Sequence, residues 1–563
     1  FVSLMTIFAL FFSFRTIKGV VLPLITVFIS SIWTLGLMSI CKIPLTIISD
    51  VIPVVLVAVG SAYSIHIIGR YNEELKNNLN AVECSRNALQ TVGVPVFLAA
   101  LTTVAGFISF IFGSYLTTIR EFGFFSALGV FFALLISVTF VPAILSFIPV
   151  KYGIFENGIP HVRLIEPAIP FLIPAQNGTA TGKKNAKPIR PGIMQKIADI
   201  LGKLVLQKKK AIAIASVIII ILAAAGMPKV EKKADIMDYF KPTSHIRQTE
   251  KMMAEKFGGS IPLQILVRGD IQDPFVLREM VKMESFLAGL GVRHPQSIAD
   301  FIKEMNFHIG EGNEIPDSRD KVNNLWFLLE GEEFLTHLVN EAKDEAVIEG
   351  TITYLSSKQL RELTGKIEKY IQTVNNHAVH FSQTGMPLIQ LHMEDSLLKS
   401  QFTSLILAMI FVYICLLLLL RSPVGGLWGL IPIIFTLIVD FGWMGWTKIP
   451  LDIATVLVGS ISIGIGIDYP IHFLSRYRKE SQGSVSKPEA LLATIKTTGT
   501  SILANVATVA AGFLVLAMAN LIPLQRFSIL VVITMLSSGL SALIILPVVI
   551  QTERINLRKE PGI

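Results

Sequence analysis

Apolar residues form long runs along most of this chain, and short polar segments separate the runs. A helix needs about 20 mainly apolar residues to cross a membrane, because the hydrocarbon core is about 30 Å thick and a helix rises about 1.5 Å per residue. The pattern predicts eleven spans, near residues 1–14, 18–40, 47–70, 93–113, 122–148, 211–227, 399–420, 424–446, 453–475, 499–519 and 525–550. The fold class is therefore a polytopic α-helical membrane protein.

Two polar regions interrupt the series of spans. Residues 149–210 are rich in Pro, Gly, Lys and Arg, which is typical of a cytoplasmic linker. Within this linker, residues 193–206 carry apolar residues on one helical face, so we expect an amphipathic helix at the membrane surface or an ordinary linker helix. Residues 228–396 have frequent charges and no run that can span a membrane, which predicts a soluble domain.

The soluble segment predicts a ferredoxin-like α+β domain. Strands are expected at residues 263–267, 346–354 and 378–382, and amphipathic helices at 274–289 and 357–374. This alternation is typical of βαβ units. Lys and Arg cluster in the linker, in loops 70–86 and 476–487 and in the tail 552–563, which places these segments in the cytoplasm. The soluble domain then lies on the external, periplasmic side.

Composition narrows the function. Hydrophobic residues make up 52% of the 563 residues and charged residues 16%, which excludes disordered and fibrous proteins. The net charge of +8 agrees with basic cytoplasmic loops and does not indicate a nucleic-acid partner. Residues 178–184 lack the spacing of a phosphate-binding loop, and His377 and His380 would point to opposite faces of a strand. We therefore expect no enzyme activity, metal or cofactor, and a proton gradient as the energy source.

The membrane part is duplicated. The segment Lys42-Ile43-Pro44-Leu45 recurs 406 residues later as Lys448-Ile449-Pro450-Leu451. The same displacement pairs Tyr63 with Tyr469 and His66 with His472, and a displacement of 405 pairs Phe122 with Phe527 and Pro142 with Pro547. The two repeats, 1–148 and 397–551, run in the same direction. Some secondary transporters use such parallel repeats and place a pathway or coupling site between them.

The repeat also predicts what a longer protein would contain. The span at 211–227 and the soluble domain precede the second repeat, but they have no counterpart ahead of Phe1. We therefore expect that one span and one soluble domain have been lost by truncation, so that about eleven of twelve spans are present.

The most informative residue is Asp468, which lies about 22 Å from the external end of its span at about 1.5 Å per residue. A carboxylate at this depth costs at least about 2.5 kcal/mol and by default marks a proton relay or ion path. The alternative is a structural carboxylate that is hydrogen-bonded within the bundle. Tyr469 could donate a hydrogen bond that holds the carboxylate. His472, one turn further in, could pass a proton onward or be a polar residue near the inner interface.

Other residues could support this relay. Asn505 and Thr508 lie on the next span and would satisfy a neutral Asp468 if they face it. Tyr63 and His66 are the repeat equivalents of Tyr469 and His472. Asp440 lies two turns from the external end of its span, where it could reach water and act as a coupling or substrate-path residue.

These residues resemble the resistance-nodulation-division (RND) superfamily, and within it the MmpL-like lipid exporters and hopanoid transporters, which are related to sterol-sensing-domain proteins. The resemblance covers essentially the whole chain. It depends on the duplicated bundle, the soluble domain after the first span of a half, the segment Gly466-Ile-Asp468-Tyr469-Pro-Ile-His472 and the pair Gly512-Phe513. The resemblance implies a proton-driven exporter whose external porter domains collect a lipid or another hydrophobic substrate. It also implies an Asp-Tyr pair in the middle helix of each half.

The chain departs from this pattern at one position, because Ala62 stands where the first half would carry its carboxylate. The proton stoichiometry is therefore open. Two alternative functions remain, a non-transporting lipid-sensing or assembly protein and an accessory to protein translocation. The expected location is the bacterial inner membrane. The expected partners are membrane lipids, a hydrophobic substrate, and either a second copy of the chain or an accessory periplasmic protein.

Overall fold

The computed structural model describes residues 17–75, 80–147, 193–233, 236–483 and 486–552. The predicted span at 1–14, the linker as far as residue 192 and the tail after residue 552 lie outside the described residues. The chain divides into two compact units. The membrane unit consists of Phe1–Lys232 and Ser396–Ile563, and the α/β unit consists of Lys233–Asp395.

The described residues of the first part of the membrane unit form six α-helices. They are α1 (Ile17–Ile40), α2 (Ile52–Glu74), α3 (Ala81–Gly113), α4 (Thr117–Phe147), α5 (Ile193–Gln207) and α6 (Lys209–Gly226). Helix α3 begins twelve residues before the predicted span, because Asn80 caps it by accepting hydrogen bonds from the N–H groups of Val82 and Glu83. The first turns of α3 are polar, so the hydropathy pattern did not include them in the predicted span. Helix α5 confirms the helix that was predicted in the linker.

The described part of the α/β unit contains four strands, and one or more helices lie between each strand and the next. They are α7 (His245–Phe257), β1 (Ile261–Gly269), α8 (Pro274–Gly289), β2 (Arg293–Gln296), α9 (Ile298–His308), α10 (Arg319–Leu329), α11 (Leu335–Leu338), β3 (Glu345–Ile352), α12 (Ser357–Val374) and β4 (Val379–Thr384). The three predicted strands and both predicted helices are confirmed. Strand β2 was missed because its residues, Arg-His-Pro-Gln, are polar and include a proline, which sheets tolerate at an edge.

The four strands form one antiparallel sheet in the order β2-β3-β1-β4. Burial along β3 alternates with a period of two, so one face of the strand is buried and the other is partly exposed. On the central strand, Ile265 pairs with Ile348 of β3 and Val267 pairs with Phe381 of β4. These side chains join a core with apolar residues of α8 and α12, which fixes the register of the sheet.

Seven α-helices are formed by the second part of the membrane unit, as far as the structure describes it. They are α13 (Met386–Leu420), α14 (Pro423–Thr447), α15 (Val456–Gly466), α16 (Asp468–Gly483), α17 (Lys487–Leu514), α18 (Ile522–Leu540) and α19 (Leu546–Thr552). Among the described residues, ten segments are long and apolar enough to cross a membrane, and they match ten of the predicted spans. The span predicted at 453–475 comprises two helices, α15 and α16, which meet at Ile467.

The two membrane halves pack in the same way. Helices α1, α2 and α4 contact one another in the first half, as α14, α15 and α18 do in the second. The halves meet where the middle span of each contacts the following span of the other, so that α15 packs on α3 and α17 packs on α2. A methyl group on Gly106 of α3 would come within 3.0 Å of the Cα atom of Gly464 in α15, so a larger residue would push the two helices apart.

Candidate functional site

The candidate site lies at the junction of α15 and α16. Pro470 has no N–H group, so the carbonyl of Gly466, four residues earlier, lacks its usual helical donor. The Ser538 hydroxyl of α18 replaces that donor, with an Oγ–O distance of 2.8 Å. A serine side chain thus satisfies the backbone where the helix is interrupted, as a water-free environment requires. Asp468 is the first residue after the interruption.

Asp468 is buried and is only 5% exposed. Its Oδ1 atom accepts no hydrogen bond from the described residues. Nearby, the Thr103 hydroxyl of the first half donates to the Gly464 carbonyl over 2.8 Å, so this part of the helix also contacts the other half. A buried charge is costly, so the free energy of these surroundings changes strongly when the carboxyl group gains or loses a proton.

The hydrogen bond that was expected from Tyr469 to Asp468 is wrong. The Tyr469 hydroxyl donates to the Sδ atom of Met535 over 3.5 Å. Consecutive residues of a helix point about 100° apart, so neighbours in sequence do not share a face. Both Tyr469 and its repeat equivalent Tyr63 are buried, and both lie close enough to Asp468 for its charge to act on them. The carboxyl group therefore lies within electrostatic reach of one tyrosine from each half.

His66 and His472 contact each other. Their ring centroids lie 4.0 Å apart and the ring planes are inclined by 26°, so the half-buried rings are stacked. The two residues are related by the repeat displacement of 406 residues. Equivalent residues of two copies touch only at the axis that relates the copies. The histidine pair therefore marks the axis between the membrane halves, one helical turn from Asp468.

Asn505 and Thr508 do not donate to Oδ1 of Asp468 as expected. Asn505 is buried, and its own Oδ1 atom accepts no hydrogen bond from the described residues. The Thr508 hydroxyl donates to the Ala504 carbonyl over 2.9 Å. Thr508 also lines a small gap against Val57 and Ser61 of α2. Both residues thus lie on a helix that faces the first half, and Oδ1 of Asp468 has no partner among the described residues.

Asp440 is buried rather than open to water. It is 2% exposed, and its Oδ2 atom accepts hydrogen bonds from Ser462 over 2.9 Å and from Thr534 over 2.7 Å. Its Oδ1 atom has no partner among the described residues. Sequence reasoning missed Ser462 and Thr534 as partners, because single hydroxyl residues inside an apolar run give no signal of what they contact.

The part of the chain that the structure describes holds no group of three or more His, Cys, Asp or Glu side chains that could bind a metal. The polar groups of the site are instead two carboxyl groups, two tyrosines, a pair of imidazoles and several hydroxyls. These are groups that bind and pass protons.

Comparisons with known proteins agree with this architecture. A model of the MMPL family matches residues 1–156 and 329–553. A membrane protein of Methanocaldococcus jannaschii is 27% identical over 328 residues, which are 56% of this chain and 83% of that protein. The apo-petrobactin exporter of Bacillus anthracis is 28% identical over 189 residues, which are 32% of this chain and 25% of the exporter.

Two further similarities bear on the fold. The hopanoid transporter of Burkholderia multivorans is 30% identical over 145 residues, which are 26% of this chain and 16% of the transporter. The chain thus spans about a quarter of the exporter and less of the hopanoid transporter. The structure of the hedgehog release protein Disp from the water bear Hypsibius dujardini matches 98% of this chain and 69% of its own, with a TM-score of 0.64 and 12% identity.

Proposed function

Because the chain belongs to the MMPL family, we propose that it is a proton-driven exporter of a lipid or another hydrophobic compound, in which Asp468 carries the proton. The relatives named as an apo-petrobactin exporter and a hopanoid transporter support transport of hydrophobic compounds. The substrate itself is not identified by these similarities.

One observation carries the proton role. Asp468 is a buried carboxyl group with an unpartnered oxygen, and it lies at an interruption of a membrane helix that contacts the other half. An unpaired charge in this environment costs several kcal/mol. Proton binding can therefore shift the packing between the halves. A proton that moves across about 100 mV supplies about 2.3 kcal/mol.

The remaining relay residues support a path toward the basic end of the bundle. His472 lies one turn beyond Asp468 and stacks on His66, so a proton that leaves the carboxyl group can pass to an imidazole at the axis between the halves. Tyr63 and Tyr469 are buried within reach of the charge of Asp468. Ala62 takes the place of a second carboxyl group, so we propose one such aspartate for each chain.

We further propose that the α/β unit is an external, ferredoxin-like porter domain. The strand order β2-β3-β1-β4, with helices after β1 and β3, is the order of a ferredoxin-like sheet. The basic segments on the other side of the membrane support a bacterial inner membrane location with this unit in the periplasm. A second copy of the chain or a periplasmic protein would complete the export path.

The test is Asp468→Asn in the full-length protein in proteoliposomes. The matched control is Asp50→Asn, which changes an exposed aspartate of the first half. We expect Asp468→Asn to lower proton flux by about a hundredfold or more, the scale on which a positioned proton carrier acts. Hydrophobic-substrate export should be lost with it. Thermal unfolding of both variants shows whether they fold, and retained transport in a folded Asp468→Asn protein would refute the proposal.

A second function remains because of Ala62. A non-transporting lipid sensor would need no proton carrier, so the missing first-half carboxyl group favours it. This alternative predicts normal cell function after Asp468→Asn.

A further inference from the structure

The carboxyl group of Asp440 belongs to a second polar cluster in the membrane unit, formed by α14, α15 and α18. Asp440, Ser462 and Thr534 come from these three helices and are each no more than 2% exposed. Four short oxygen contacts join the cluster. They are Asp440 Oδ2 to Ser462 Oγ (2.9 Å), Asp440 Oδ2 to Thr534 Oγ1 (2.7 Å), Ser462 Oγ to Thr534 Oγ1 (2.8 Å) and Thr534 Oγ1 to the Leu530 carbonyl (2.9 Å).

The number of hydrogen atoms available to these four contacts indicates that the cluster fits an added proton. The hydroxyls of Ser462 and Thr534 carry one hydrogen each, so they can fill only two of the four contacts. A proton on the carboxyl group of Asp440 fills a third, because Oδ2–H can then donate to Thr534 while Thr534 donates to the Leu530 carbonyl. Distances of 2.7–2.9 Å are those of hydrogen bonds between oxygens, as a proton site requires.

The first half shows that helix packing does not require these polar groups. The repeat places Thr34, Leu56 and Gly129 at the positions of Asp440, Ser462 and Thr534. These residues also meet, because a Cβ atom on Gly129 would lie 2.7 Å from Leu56 Cδ1 and 2.9 Å from Thr34 Oγ1. The same three-helix contact is therefore built in the first half with a leucine at its centre and no ionisable group.

Residues with hydroxyl groups lie between the cluster and the candidate site. Ser462 precedes Asp468 by six residues, which is about 9 Å along a helix. Thr534 precedes Ser538 by one turn, and the Ser538 hydroxyl donates to Gly466 beside Asp468. The groups that donate to the Asp440 carboxyl are the hydroxyls of Ser462 and Thr534. Asp452 before α15 and Arg526 of α18 pair with each other over 3.1 Å.

We propose that Asp440, Ser462 and Thr534 form a second proton-binding site, which supplies protons to Asp468 from the end of the bundle farther from Arg476. This inference rests on the proposed function and adds a site to it. The proton enters at Asp440, the hydroxyls of α15 and α18 pass it along, and Asp468 receives it at the helix interruption.

The test uses the full-length protein in vesicles. A pH-jump infrared difference spectrum records the C=O stretch of each buried carboxylic acid, and a dye inside the vesicles records proton flux. We expect Asp440→Asn to remove one carboxylic-acid band, to leave the Asp468 band in place and to lower proton flux by about a hundredfold. Thr534→Val keeps the carboxyl group and should lower flux by about tenfold through the lost hydrogen bond.

Controls separate this inference from the proposed function. Thr34 is the first-half equivalent of Asp440, and Thr34→Val should leave the flux and both carboxylic-acid bands unchanged. If Asp468→Asn stops transport while Asp440→Asn shows normal flux and both bands, the second site is refuted and the proposed function stands. If a folded Asp468→Asn protein transports normally, the proposed function fails. Flux that requires Na⁺ in the wild-type protein and not in Thr534→Val would show a sodium site and would overturn the proton assignment.

Discussion

Helix α2 of the first half runs without interruption from Ile52 to Glu74, whereas the corresponding span of the second half is divided at Ile467 into α15 and α16. The two halves share their helix packing, so the surroundings do not impose the division. One pair of equivalent residues explains it. Ser64 stands in the first half where Pro470 stands in the second.

The neighbouring residues differ in a matching way. Ser64 keeps its backbone N–H for the helix, and its hydroxyl donates to Thr26 over 3.1 Å. In the second half Ser538 supplies the hydroxyl that Gly466 needs, and Ala133 stands at that position in the first half. The comparison teaches that the two halves share the packing of their helices, whereas the interruption, Asp468 and Asp440 with its two hydroxyl partners occur in the second half.

Ser64→Pro should interrupt helix α2 of the first half. Of the changes predicted here, we expect it to lower the free energy of unfolding most. The change removes the N–H that the Gly60 carbonyl uses, and Ala133 has no hydroxyl to replace it. We expect the free energy of unfolding to fall by about 3 kcal/mol or more. Chemical unfolding of the purified protein in detergent measures this change. The double variant Ser64→Pro/Ala133→Ser should regain about 1 kcal/mol, and an undamaged single variant would contradict the explanation.

Ser538→Ala should damage the second half in the complementary way. The Gly466 carbonyl loses its donor, and an unsatisfied buried carbonyl costs about 1–3 kcal/mol. Ser537→Ala, on the same helix, is the matched control, because the Ser537 hydroxyl donates to a carbonyl of its own helix. Pro470→Ala restores an N–H at position 470, so it should suppress the effect of Ser538→Ala in a double-mutant cycle. Additive losses would argue against the assignment.

His472→Phe should lower proton flux moderately, and it tests the histidine pair at the axis between the halves. Phenylalanine keeps a ring for the stack but cannot carry a proton, so we expect about tenfold lower proton flux, or about 1.4 kcal/mol. His66→Phe tests the equivalent residue. If the pair acts as one unit, the double variant should be no slower than the slower single variant. Wild-type flux in the double variant would exclude the histidines from the path.

Glu284→Gln should have the smallest effect on stability. Glu284 lies in the α/β unit, so this change removes a titrating group outside the two membrane halves. Burial, followed by the charge of Asp300, raises the pKa of Glu284 from 4.5 to about 8. Between these values the native state binds more protons than the unfolded state. The contribution of Glu284 to stability is therefore fully present below about pH 4.5 and is lost as the pH rises toward about 8.

The glutamine variant should show a flatter dependence of the melting temperature on pH, by about 2–4 °C for each kcal/mol that no longer titrates. Glu255→Gln changes an exposed carboxyl group of the same unit and serves as the control. Identical pH profiles for the wild-type protein and Glu284→Gln would show that Glu284 does not set this dependence.

The sequence by itself determined ten of the predicted spans, the duplication, three of the four described strands and the presence of one carboxyl group, Asp468, inside an apolar run. These features are local or repeated. A hydrocarbon core of fixed thickness requires long apolar runs, and a carboxyl group within such a run is unusual wherever the helix points. Strand β2 escaped because a short polar edge strand has no apolar alternation to detect.

Only the tertiary structure decided which groups meet. The pattern placed Tyr469 beside Asp468, but helix rotation directs its hydroxyl to Met535. It placed Asp440 near water, but three packed helices bury it against Ser462 and Thr534. It aligned His66 with His472, but the axis between the halves makes them touch. The physical reason is that hydropathy fixes how deep a residue lies, whereas its partners depend on how each helix is turned against its neighbours.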